Sequence, residues 1–230
     1  LPPQMWLRNA SGALETRVVR VWNRYGNLLS SVASRLGIDI ALAVAVVAAG
    51  HHARGLTGDQ QLVLRFEPHL FYQRWGMDHP DRFAEHFQFD PARPWQGHRW
   101  RATAAKPWRE VHDGLASEWA AFALARSLDG PGACASTALG FAGALGASHA
   151  AAGYQSPAQM LDAFASSERF QVLAFFDLPA GPAGGSRAAD ALRSHEIETF
   201  AELTAGPGNA ARVAATLCLA ISAFQRLNPA

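Results

Sequence analysis

At 230 residues the chain can bury a full core, and 49% apolar with 17% charged residues describes a compact protein, not a disordered one. A formal net charge of +1, with no block of like charge, gives no basis for recruitment by nucleic acid or an acidic bilayer. Residues 1–11 read as a linker or disordered lead-in, and 12–230 as a single domain. The opening leucine reads as a trimmed start, with no secretory signal visible. Apolar positions Val18, Val19, Trp22, Leu28, Leu29 and Val32 recur at helical spacing across residues 15–36. Asp39 is placed to open a second helix within IDIALAVAVVAA (38–49), which breaks at Gly50-His51-His52. That aliphatic run is too short for a bilayer span, and no transmembrane segment is expected.

Thr57-Gly58-Asp59 signals a turn, and residues 62–66 (LVLRF) read as a short strand, the one convincing β element. Helical segments then follow over 68–75, 80–87 and 111–128. Gly130-Pro131-Gly132 punctuates the chain before the Ala/Gly-rich stretch 132–153, which reads as a tightly packed interior helix. Ser156-Pro157 has the cap-then-proline signature of a helix start. Residues 181–186 (GPAGGS) read as a flexible loop, and 194–203 and 208–227 as closing helices. Cys134 and Cys218 read as buried free thiols, with a disulfide between them left open.

The helix ending at Gly50, then RFEPHLFYQRWG (65–76) and RFAEHFQFDPARPWQGHRWR (82–101), together resemble the N-acetylmuramidase family of phage-type endolysins. The resemblance runs from about Arg17 to the C-terminus. It implies a mainly α, lysozyme-like α+β fold with one small β-hairpin, so that 12–230 would be one muramidase-like domain. In that family the second helix ends in Glu-Ser-Gly-Gly, and the glutamate is the catalytic acid. Aligned on Arg54-Gly55, Gly50 occupies the glutamate position, and His51 and His52 stand where the family has a small serine and glycine.

Two further signatures are depleted in the same way. Where the family resembles Met-Gly-x-Pro-Gln-Ile-Met-Gly-Phe-Asn-His, the chain reads LGFAGALGASH, aligned on His149 and Gly153-Tyr154. Gly143 then replaces the glutamine, Ala142 the proline and Ser148 the asparagine. Tyr-Asn-Gly-Pro-Gly survives only as Thr204-Ala205-Gly206-Pro207-Gly208. Turn residues remain while polar, sugar-facing ones are gone.

A muramidase protonates its leaving oxygen with a carboxylic acid whose pKa is raised by an apolar setting and by a helix C-terminus. Glycine cannot do this, and losing a positioned general acid costs about 10² to 10⁴ in rate. The expectation is a degenerate member with no catalytic residue, kept for protein assembly or for binding peptidoglycan glycan. An alternative is a weak or altered glycoside hydrolase that uses Glu67 or a histidine. A second alternative is a histidine metal site in the old cleft.

Candidate cleft or ligand-binding residues are Glu67, His51, His52, His69, His149, Gly143 and Thr204. Glu67 could instead pair with Arg65, Arg74 or a helix terminus. Two histidines and a carboxylate make a metal set. However, neighbours on a helix point about 100° apart, and no H-x₃-H or C-x₂-C spacing is present. No metal and no cofactor are therefore expected. PWQGHRWR (94–101) reads as a packed surface loop, with Trp95 and Trp100 in the core or against a sugar. Only the resemblance speaks to location, and it suggests the periplasm or cell envelope.

Overall fold

The computed structural model describes residues 3, 5–8, 10–49, 55–141, 143–180 and 185–228. The chain divides into two compact units, one of Leu1–Ala53 with Arg169–Ala230, the other of Arg54–Glu168.

The first unit opens with Leu7, whose amide donates to Asn23 Oδ1 while its carbonyl accepts from Asn23 Nδ2. Helix α1 (Ala13–Leu36) carries the predicted apolar stripe and closes on Gly37 in the left-handed conformation. Asp39 caps α2 (Ile40–Ala48) by accepting from Ala41 N at 2.6 Å. Every residue of α2 except Ile40 is buried, which is why its sequence is aliphatic on all sides.

The second unit begins at the 57–61 turn and runs into strand β1 (Leu64–Phe66). Helix α3 (Pro68–Phe71) passes into a π-turn over Tyr72–Gly76, followed by α4 (Pro80–His86). Strands β2 (Phe87–Gln88), β3 (Arg99–Trp100) and β4 (Arg109–Glu110) form an antiparallel sheet, with Phe87 opposite Trp100 and Arg99 opposite Glu110. Helix α5 (Leu115–Leu128) and α6 (Gly130–Ala135, capped by Asp129) come next. Strands β5 (Thr137–Leu139) and β6 (Ala144–Leu145) then join β1 in a second antiparallel sheet, Leu64 facing Leu139. A 3₁₀ turn at Gly146–Ser148 leads to α7 (Pro157–Ser166), whose Ser156 hydroxyl accepts from Gln159 N.

Helix α8 (Glu168–Ala180) crosses back into the first unit, which ends with α9 (Gly185–Arg193), α10 (Ile197–Ala205) and α11 (Pro207–Leu227). Helix α11 packs on α1, α2 and α10. Ala201, Ala210 and Ala214 let α10 and α11 approach closely, and Trp22 meets Phe224 edge-on at 5.0 Å. By length and composition the stretch Gly208–Leu227 could cross a bilayer, yet its Leu217, Ala220 and Phe224 are buried in this unit.

Mainly α architecture is as expected, but three expectations need correction. The Ala/Gly-rich stretch 132–153 is not an interior helix; it is the short α6, the β5–β6 hairpin and a 3₁₀ turn. Gly143 sits in the hairpin turn at φ 62°, and Gly146 abuts the Cys134 carbonyl so closely that a side chain would not fit. The glycines there serve a turn and a backbone contact, not helix packing. Among the described residues the small β content is two three-stranded antiparallel sheets, with the β5–β6 hairpin in one of them. The helix expected over 111–128 starts only at Leu115, because Arg109–Glu110 pairs as a strand and Asp113-Gly114 turns the chain. Cys134 is buried but Cys218 is exposed, and both are free. Burial pushes the Cys134 thiol up from its ordinary value.

Of the 181–186 segment, residues 181–184 lie outside the described residues, and α9 begins at Gly185.

Candidate functional site

Gly50, His51 and His52, and with them Ala142, lie outside the described residues. The titratable groups that do converge belong to the second unit. Glu67 follows β1 as the residue before α3, where its amide donates to Ser136 O and its carbonyl accepts from Leu70 N and Phe71 N. Its side chain does not cap the helix. Oε1 accepts from Arg65 Nε at 2.7 Å, and the carboxylate is mostly buried. The structural pairing weighed from sequence is therefore present, with Arg65 as the partner. Oε2 faces the histidines, 3.6 Å from His69 Nδ1 and 3.5 Å from His98 Nδ1.

His98 immediately precedes β3 and its side chain has no solvent exposure. Its carbonyl accepts from Val111 N, which fixes β4 and so brings His112 alongside. Three contacts surround the His98 ring: Nε2 to Pro94 O at 2.8 Å, Nε2 to His69 Nδ1 at 3.2 Å, and Nδ1 to His112 Nε2 at 2.6 Å. His112 Nδ1 lies 2.7 Å from Glu118 Oε1, and the other oxygen of Glu118 accepts from Phe66 N at 2.8 Å. Glu118 thus spans from the first turn of α5 to the β1 backbone, a buried carboxylate satisfied at both oxygens. Ser117 supports it by donating to Glu110 O and accepting from Trp100 Nε1.

Burial is the largest influence on both His69 and His98, and it holds each imidazole below its ordinary value. Glu67 pulls the other way for both, as does the Pro94 carbonyl for His98. Glu67, His98 and His112 offer three ligand atoms within 4.8 Å of one another.

Among the residues singled out from sequence, Glu67 and His69 come together. His149 instead turns its Nδ1 to Gly146 O. Gly143 lies in the β5–β6 turn, with open space beside its α-carbon. Thr204, in the other unit, donates its hydroxyl to Phe200 O within α10. His98, His112 and Glu118 were not anticipated. His98 lies within PWQGHRWR, whose sequence predicts a packed surface loop, and His112 within 111–128, whose pattern predicts a helix. The tryptophans divide: Trp100 is in the core while Trp95 is exposed.

The same unit carries an open groove of about 760 Å³ lined by Tyr72, Phe83, Phe87, Phe89, Asp90 and Arg99 among others. Its lining is mainly aromatic, and its two charged residues are paired nearby, Asp90 with Arg93 and Arg99 with Glu110.

Against known proteins, the sequence profile described as N-acetylmuramidase matches residues 39–218. The structure is similar to the crystal structure of the Burkholderia AP3 phage endolysin, with a TM-score of 0.66 and 24% identity. The similarity covers 95% of this chain and 74% of the endolysin, and at that identity it speaks for a shared lysozyme-like fold. A comparison with curated protein sequences returns no match. The profile spans well over half of the sequence and takes in both α2 and the Glu67 segment, so the chain belongs to the N-acetylmuramidase family.

Proposed function

We propose that the protein is a non-lytic member of the muramidase family that binds peptidoglycan glycan without cutting it. The observation that carries this reading is α2, which presents no carboxylate from Ile40 to Ala48 and ends at Ala49. The family places its catalytic acid at the end of that helix, and here Gly50 follows. The next acidic residues in the chain are Asp59, in a turn, and Glu67. Glu67 holds the Arg65 guanidinium on one oxygen and faces His69 and His98 with the other, so its carboxylate is already engaged within its own unit.

Glycan is favoured over a protein partner by the family membership and by the groove beside α4, whose aromatic lining suits the apolar faces of a sugar. The groove contains none of the residues that the muramidase signatures have lost.

The test is co-sedimentation with purified peptidoglycan sacculi, read together with the turbidity of the same suspension. Saturable sedimentation at constant turbidity is the expected result. Clearing of the suspension would contradict the reading and make Glu67→Gln the next variant. An absence of both would move the function to protein assembly.

A further inference from the structure

Two imidazoles in the second unit have their hydrogens fixed from outside. The Pro94 carbonyl only accepts, so at 2.8 Å His98 Nε2 carries a hydrogen, and His69 Nδ1 faces that same N–H. The Glu118 carboxylate takes the Phe66 amide on one oxygen and His112 Nδ1 on the other, so the hydrogen of His112 sits on Nδ1. In neutral rings the two remaining nitrogens, His98 Nδ1 and His112 Nε2, are then both bare, and they face each other at 2.6 Å. Lone pairs at that separation repel. Glu67 Oε2 brings further electron pairs to within 3.5 Å of His98 Nδ1, while Arg65 engages only the other oxygen. Three electron-pair donors converge with no hydrogen among them to share.

We propose that Glu67 Oε2, His98 Nδ1 and His112 Nε2 bind a divalent transition ion of the zinc class. Two imidazoles and one carboxylate match the preference of such an ion for nitrogen and oxygen donors. Bonds of about 2.0–2.2 Å in a tetrahedral arrangement put ligand atoms roughly 3.3 Å apart. The Glu67–His98 separation of 3.5 Å already meets that spacing, and the closer imidazole pair opens by several tenths of an ångström on binding. The outer shell has the form such sites require. His112 donates its other N–H to a carboxylate and His98 donates its own to a main-chain carbonyl, which sets both tautomers and aims both rings.

A proton shared between the two rings would relieve their repulsion. It would use Glu67 Oε2 only as a counter-charge, 3.5 Å from His98 Nδ1, and not as a ligand. An ion uses all three groups. Bound there, it ties the residues flanking β3 and β4 to the corner between β1 and α3, and leaves a fourth position for water or a ligand. This set shares only Glu67 with the residues the family signatures would select, and it stands whether or not the chain cuts glycan.

The test uses the tag-free full chain, stripped with a chelator and titrated with Zn²⁺ by calorimetry, then with Co²⁺ by visible absorption. One equivalent is expected to bind and to raise the melting temperature. Affinity is expected to fall at least about tenfold in Glu67→Gln and in His112→Gln, and to be unchanged in His79→Gln, which removes a histidine from elsewhere in the unit. Far-UV circular dichroism identifies any variant that has lost its fold, and the wild-type titration decides the matter without the variants. No saturable binding at millimolar Zn²⁺ would overturn the site, as would equal affinity in wild type, Glu67→Gln and His112→Gln. A low-field histidine proton resonance that persists unchanged in excess Zn²⁺ would assign the pair to a shared proton and overturn it too.

Discussion

The two units solve the problem of burial with different chemistry. The unit built from α1, α2 and the C-terminal helices fills its interior with Leu29, Leu42, Val44, Val46, Leu217 and a run of alanines. The other unit uses aromatic rings, with Phe66 meeting Phe71, Phe87 and Phe122 at centroid distances of 5.8, 5.6 and 6.5 Å. Among the described residues the buried polar side chains follow the same division: His98, Ser117, Glu118, Ser136, Thr137 and Glu168 belong to the aromatic unit, and Gln171 to the helical one. Buried polar groups are costly unless partnered. In the aromatic unit His98, His112 and Glu118 are joined in one hydrogen-bonded chain, whereas α2 carries no polar side chain at all.

That contrast is broken most readily at Phe66. Phe66→Ala removes the ring shared by three aromatic neighbours and is expected to cost about 3–5 kcal/mol, against about 2–5 kcal/mol for Leu42→Ala in the helical unit, both read from urea unfolding. Near-neutral behaviour at Phe66 would show that the aromatic cluster is not a packed core. Glu118→Ala sharpens the polar side of the comparison. It orphans the Phe66 amide and the His112 N–H, at about 1–3 kcal/mol for each buried donor left unpaired. Glu118→Gln, which keeps an acceptor for one of them, should recover part of that loss.

Smaller effects belong to the helical unit. Asp39→Ala removes the cap of α2 and should cost about 1 kcal/mol, because the helix is otherwise held by burial on every side. The smallest is a pH effect at Glu15. Its carboxyl is held down to about 2, first by the Ser11 hydroxyl, then by the Ser11 amide and Arg226. Because the folded value lies below the unfolded one, its contribution is present above the ordinary carboxylate range and fades as pH falls toward 2. The gap in melting temperature between wild type and Glu15→Gln should therefore close between pH 5 and about pH 2. A gap independent of pH would assign the effect to packing instead.

How much of this could be read in the sequence differed between the units for a physical reason. Helices α1 and α2 follow from local pattern alone, a 3.6-residue stripe in one and a capped aliphatic run in the other, and both lie where periodicity places them. Ser156 likewise announces α7 through its own hydroxyl. The β5–β6 hairpin is hidden in the sequence because a glycine-rich run looks the same whether glycine admits a neighbouring helix or a neighbouring carbonyl, and at Gly146 it is the Cys134 carbonyl.

The histidine cluster is a product of long-range pairing. His98 and His112 meet because β3 and β4 pair, and neither strand exceeds two residues, too short to show an alternation. Glu67, Arg65 and His69 were legible through RFEPHLFY, but His98 and His112 were not, since they come from separate segments with no ligand spacing in the sequence. That α2 carries no carboxylate needed no structure at all, because its aliphatic sequence is visible in the letters themselves.

The most direct test of the muramidase fold without muramidase chemistry is mass spectrometry of the soluble fraction after prolonged incubation of the protein with purified sacculi. The account predicts no soluble muropeptides above a protein-free control, while the protein itself is recovered in the pellet. Accumulation of fragments with N-acetylmuramic acid at their reducing ends would contradict it and show that another group supplies the proton that α2 cannot.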